Sequence, residues 1–227
     1  MIITLGNIVF GGKGNGGGSS TASAYVVPDG LSFAYSTSLT EFPDGLDFSQ
    51  KTNFSYCWYG WSSLTEFPVL DLSGGTDFSY AWYNCSNLTS FPRLDLSNGS
   101  VFDMTWTFCS SLKEFPLINT SKGTNFYMTW YSCSSLTSLP ALDLHNGTDF
   151  SMAWGSCSSL TNLGGFGAIS ADFSLSDSPN LTVESLMNVI NQAATVTGKT
   201  MTLGSTNLAK LTDEQKAVAT NKGWTLA

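Results

Sequence analysis

Phe78-Ser-Tyr-Ala-Trp-Tyr-Asn-Cys-Ser-Asn-Leu-Thr-Ser-Phe-Pro-Arg-Leu-Asp-Leu-Ser-Asn-Gly-Ser-Val101 decides the fold, because the chain writes this unit again and again. Trp58, Trp82, Trp106, Trp130 and Trp154 fall at steps of 24 residues. Phe54, Phe78, Phe102, Phe126 and Phe150 keep the same step, as do Leu64, Leu88, Leu112, Leu136 and Leu160. Pro68, Pro92, Pro116 and Pro140 do likewise. Three residues after each Trp comes Cys85, Cys109, Cys133 or Cys157, with Trp61 in that place in the first copy. A degenerate earlier copy starts at Leu31 and carries Leu39-Thr-Glu-Phe-Pro43. A fixed period in the twenties predicts a solenoid, because one coil cannot bury its apolar face alone.

Each unit parses into two pieces. Leu-Thr-x-Phe-Pro-x-Leu-Asp-Leu is apolar and roughly alternating, which predicts one short strand per coil, bent where Pro lacks its N–H. Gly75, Gly99, Gly123 and Gly147 share one place in the following turn and are expected where the backbone needs a positive φ. Phe78–Cys85 is expected to form a turn of helix or an irregular arc that aims Phe, Trp and Cys inward. Strands about 4.8 Å apart make a block on the order of 25–30 Å long.

Met128-Thr-Trp-Tyr-Ser-Cys-Ser-Ser-Leu-Thr137 resembles the BspA-like class of leucine-rich repeats, in which an aromatic and Cys-x-x-Leu-Thr precede the strand. The resemblance covers roughly residues 31–163. The chain departs from it in using Trp where Phe is common, and Gly in place of Val in the Ser-Asn-Val-Thr segment. It implies an α/β repeat solenoid of BspA-type leucine-rich repeats with a C-terminal α/β cap. The family spans bacterial surface proteins, eukaryotic parasite proteins and phage proteins.

The ends differ from the middle, and the chain divides into 1–10, 11–24, 25–163 and 164–227. In the last segment Thr182 is the expected N-cap of a helix over 182–194, with Leu186, Val189, Ile190 and Ala193 on one face. Lys199–Leu203 alternates like a strand, Thr212–Lys222 reads as a helix stopped by Gly223, and Trp224–Leu226 as a last strand. Such a module would cover the final coil. At the other end, Gly11–Ser20 is a Gly/Ser-rich linker by composition. It tethers an apolar segment whose Ile2, Leu5, Ile8 and Phe10 belong either to a cap strand on the first coil or to an anchor that adds to another protein's sheet edge. That segment resembles the short N-termini of some phage tail and virion proteins. No basic region precedes it, so a secretory signal is not expected.

Composition narrows the partners. Hydrophobic residues are 42% and charged residues 11%, so there is material for a packed core. A net charge of -8 with Arg93 as the single arginine argues against nucleic acid and against an anionic membrane surface. No run approaches 18 apolar residues, so no transmembrane helix is expected.

Catalysis finds little to work with. His145 is the single histidine and occupies a turn position held by Ser73, Ser97 and Ser121 in other copies. The Gly-rich 11–18 lacks the Gly-Lys-Ser/Thr order of a phosphate loop. Cys85, Cys109, Cys133 and Cys157 sit 24 apart in one ladder rather than in converging pairs, which, with an odd total of five Cys, suits buried thiols better than zinc or disulfides. Asp71, Asp95, Asn119 and Asp143 form one polar ladder, and Asp77, Asn125 and Asp149 another; turn capping explains both better than Ca²⁺, since Asn and Val101 interrupt them. The Trp column reads as core. Tyr59, Tyr83 and Tyr131, beside Thr107 and Gly155, are the surface candidates, able to stack on sugars or anchor an interface. The expectation is therefore a non-enzymatic protein without metal or cofactor. Its place is in a phage virion (tail, fibre or capsid decoration), contacting other virion proteins through its N-terminus and a host surface protein or glycan through the solenoid. The alternative is a BspA-like adhesin on a bacterial cell surface; a homo-oligomer stays open in either case.

Overall fold

The computed structural model describes residues 3–5, 8–10, 24–42 and 44–227. Near the N-terminus β1 (Ile3–Leu5) pairs antiparallel with β2 (Ile8–Phe10), so the apolar segment holds two short strands where one was expected. Ile2 lies outside the described residues. In the first coil β3 (Tyr25–Val26) pairs in parallel with β4 (Leu46–Asp47), a step of 21 residues, 46 − 25. Thereafter parallel bridges recur at 24: Asn53 to Asp77, Asp77 to Val101, Val101 to Asn125 and Asn125 to Asp149. Successive units therefore lie one over another.

The ladder between them is not mainly where the strand was expected. The Leu-Thr segment gives isolated bridges such as Glu66 to Ser90, and lengthens only into β5 (Ser138–Leu139) beside β6 (Asn162–Leu163). Most coil-to-coil bonds come from the arc. Phe78, Tyr80, Trp82 and Asn84 donate their N–H groups to the carbonyls of Val101, Asp103, Thr105 and Thr107 at 2.8–2.9 Å. The residues between them, Ala81, Tyr83 and Cys85, donate back within the coil to Phe78, Tyr80 and Trp82 at 3.0–3.2 Å. The first set recurs from Phe54, Phe102 and Phe126. Proline interrupts the other segment, so the arc, which has an N–H at every position, carries the pairing.

This alternation requires left-handed backbone twice per arc. One such column is Tyr56, Tyr80, Met104, Met128 and Met152, with φ between 49° and 56°. The other is Gly60, Asn84, Phe108, Ser132 and Ser156. Each non-glycine residue there costs roughly 1–2 kcal/mol, which the inter-coil bonds offset. By contrast Gly75, Gly99, Gly123 and Gly147, expected at positive φ, do not have it. They are glycines because a Cβ would sit 2.1–2.5 Å from the ring tip of Phe78, Phe102, Phe126 or Phe150. Close packing, not backbone handedness, selects them.

Inside, like side chains meet in columns. The five repeating Trp are fully buried and stack at 5.1, 5.5, 5.9 and 6.0 Å, and the Phe54–Phe150 column stacks at 5.2–5.7 Å. Phe67, Phe91 and Phe115 stand perpendicular against the Trp rings. Cys85, Cys109, Cys133 and Cys157 donate their thiols to Trp carbonyls of the preceding coil at 3.1–3.4 Å. Among the described residues no nitrogen or oxygen acceptor meets the indole N–H of Trp58, Trp82, Trp106, Trp130 or Trp154, each such omission costing about 1–3 kcal/mol. Aromatic stacking and burial carry the column in spite of it.

The last segment continues the stack. A bridge from Phe150 to Phe173 leads into a parallel sheet of β7 (Phe173–Ser174), β8 (Lys199–Thr202) and β9 (Trp224–Leu226). Between β7 and β8 runs α1 (Val183–Gln192), capped by Thr182 and burying Leu186, Val189 and Ile190 as its spacing predicts. The short α2 (Gly204–Leu208) was not foreseen; its buried Asn207 donates to the carbonyls of Leu175, Ser178 and Leu203. α3 (Asp213–Asn221) begins with a capping box of Thr212 and Gln215, and Gly223 ends the segment at φ +86°. Buried Lys51 tightens the opposite end by donating to the carbonyls of Pro28, Asp29 and Leu31 at 2.8–3.0 Å. Replacing Gly123 by Ala is expected to destabilise the chain by about 1–3 kcal/mol through overpacking against Phe126; urea unfolding monitored by Trp fluorescence measures it.

Candidate functional site

The arc that holds the coils together also fixes an aromatic strip on the surface. Its alternating backbone turns Phe78, Trp82 and Cys85 inward and leaves Tyr80, Tyr83 and Asn84 half-buried or exposed. Tyr59 and Tyr83 are half-buried and stack at 4.7 Å with planes 5° apart. Tyr131 does not stack on Tyr83. Phe108 stands between them, on edge to both at 5.4 and 5.8 Å. The strip also contains residues that the sequence reading missed. Tyr56 stacks on Tyr80 at 4.6 Å, and Tyr35, 71% exposed, leans on Tyr59 at 5.0 Å. Tyr56 and Tyr80 are 24 apart and could have been found by the rule that found Tyr59 and Tyr83. Phe108 could not, since its column otherwise holds Gly60, Asn84, Ser132 and Ser156.

Stacking decides what the tyrosines present. Tyr59 and Tyr83 spend facing ring surfaces on each other, as do Tyr56 and Tyr80, so one face of each ring is withdrawn from a partner while edges and phenol groups stay at the surface. Burial, then the neighbouring Tyr35, pushes the Tyr59 phenol above its usual range. Burial, then the Asp103 charge, does the same for Tyr80.

Beside the strip runs a groove of about 630 Å³ lined by Phe108, serines of successive coils, Asp177 and Pro179. The other polar residues have structural work. Asp71, Asp95, Asn119 and Asp143 accept the N–H two residues on at 3.0–3.3 Å, and Asp77, Asn125 and Asp149 do so at 2.8–2.9 Å, which is the turn capping expected of them. His145 is exposed in its turn, its Nδ1 2.7 Å from Asp143 Oδ1. All five cysteines are buried, as expected; burial pushes the thiols of Cys57, Cys85 and Cys157 up to about 12 and holds Cys109 and Cys133 well above their usual range. Such thiols are poor nucleophiles and poor metal ligands at neutral pH. Among the described residues no group of three His, Cys, Asp or Glu converges on a metal position, and no helix is long and apolar enough to cross a membrane.

No family model, curated protein or solved structure matches the chain.

Asp103 occupies a place that Ser55, Ser79 and Ser151 fill in other coils. Its Oδ1 is buried without a partner among the described residues, and burial, then Asp149 and Asp77, holds its carboxyl above the ordinary range. A folded-state value above the unfolded one means that ionisation weakens the fold as pH rises, and that protonation relieves it as pH falls through the raised value. Asp103→Ser is therefore expected to stabilise the protein by about 1 kcal/mol at pH 7. The gain should shrink as pH drops toward the unfolded carboxylate range, as thermal melts at stepped pH would show.

Proposed function

We propose that this chain is a non-enzymatic attachment module. It is a BspA-like leucine-rich-repeat solenoid with a C-terminal α/β cap, carried on a phage virion as a tail, fibre or capsid-decoration component, with its surface strip toward the host. The observation that carries the reading is the strip itself. Aromatic side chains from Tyr35 to Tyr131 touch in sequence across successive coils, on a backbone held by inter-coil hydrogen bonds. Rigid aromatic side chains lose little rotamer freedom on docking and suit the centre of an interface. The short apolar hairpin and the Gly-rich stretch after it support a division between attachment to the particle and display of the solenoid. A bacterial surface adhesin would use the same strip, and the BspA-like repeats favour it as the second reading.

Mass spectrometry of purified virions and of host envelope fractions separates the two. Removal of Met1–Phe10 is expected to abolish incorporation into virions while moving the melting temperature hardly at all. Recovery of the intact chain only from envelopes would replace the virion reading with the adhesin one. A large drop in melting temperature would make the N-terminal segment a cap rather than an anchor.

A further inference from the structure

We infer that the groove beside Phe108 is a binding site for a neutral oligosaccharide, a ligand assignment that rests on the attachment reading above. Four features of the groove point to sugar. The first is its extent: an open surface groove whose lining runs from Phe108 through Ser132 to Ser156, across successive coils, suits a chain-like ligand rather than a compact one. The second is Phe108, 38% exposed and turned 88° and 85° from the planes of Tyr83 and Tyr131. Tyr83 gives one ring face to Tyr59, whereas Phe108 stands across the line of the stacked tyrosines and lines the groove. The electron-rich face of such a ring attracts the electropositive C–H groups on one side of a pyranose.

The third is a set of hydroxyls. Ser110 donates to Ser86 O at 3.4 Å, but Ser132, Ser134, Ser156 and Ser158 line the groove with hydroxyls bonded to no other group among the described residues. These columns repeat once per coil, about 4.8 Å, close to the length of one sugar in an extended chain. Successive coils would thus meet successive sugars with a donor–acceptor group each. The fourth is charge. Asp177 is the ionisable group of the lining, and the chain carries -8 overall, so a sulfated, phosphorylated or sialylated chain would be repelled while a neutral one is not.

Phe108 also offers a clean test, because its place in the next coil toward the N-terminus is held by Asn84 with nearly the same backbone (φ 58° against 61°). Phe108→Asn removes the ring while keeping a residue that this geometry already accepts. The full chain is titrated calorimetrically with neutral gluco-, galacto- and manno-hexaoses and with sialylated and sulfated counterparts. We expect binding of at least one neutral hexaose, at least tenfold weaker binding by Phe108→Asn with an unlowered melting temperature, and a several-fold loss in a Ser134→Ala/Ser158→Ala double variant. The assignment is overturned by absence of binding to every neutral hexaose at millimolar concentration, by equal affinity of Phe108→Asn, or by preference for the anionic set. Virion incorporation is read separately: a chain that enters particles but binds no hexaose refutes the sugar site alone, and one that binds hexaose but is absent from particles refutes the virion reading alone.

Discussion

Along the arc of each repeat, every second backbone N–H leaves its own coil for a carbonyl of the next, while those between turn back into the coil. Parallel strands ordinarily achieve inter-coil pairing with extended backbone. Here the same end is reached with left-handed residues at two places per arc, and bulky Tyr and Met side chains stand in one of those columns. Such a backbone is unfavourable residue by residue. It persists because four inter-coil bonds per arc would be lost together if one residue relaxed.

Two consequences follow from that geometry. Side chains at like places are held in columns, so Trp meets Trp and Phe meets Phe in a dry interior whose ring planes are nearly parallel. The same arc drives its remaining side chains outward, and identical spacing stacks Tyr on Tyr at the surface. Core and candidate site are two faces of one hydrogen-bonded segment. A surface built this way is rigid without helix or long strand beneath it, which suits a protein whose proposed work is to present contacts rather than to close around a substrate.

Departures from the repeat are where the surface changes most. Phe108 interrupts a column of small or polar residues and turns one ring against the run of the others. Asp103 replaces a serine, and its charge adds to burial in raising the Tyr80 phenol's pKa. Against a background in which most residues are explained by the column they stand in, these two are not, and each alters what the surface presents. Two lysines follow another logic: buried Lys51 donates to the carbonyls of Pro28 and Asp29, and half-buried Lys210 to those of Pro179 and Leu181.

The period of 24, the inward Trp, Phe, Leu and Cys columns, the capping role of the Asp/Asn ladders and the helices after Thr182 and Thr212 were legible in the chain, because each rests on a side chain's own chemistry repeated at fixed spacing. What could not be read is where the backbone bonds go. Leu88–Leu96 has the composition of a strand, yet the ladder lies mostly in Phe78–Cys85, because a carbonyl's partner depends on φ/ψ values that Tyr and Met do not advertise. Gly123 was legible as required but not why: ring contact with Phe126, not handedness, excludes a side chain. Likewise Tyr59, Tyr83 and Tyr131 could be named as surface residues, but only the stacked coils decide that two of them cover each other while Phe108 stands across the line. Orientation about the stack axis is set by packing between coils, and one coil's sequence carries no record of it.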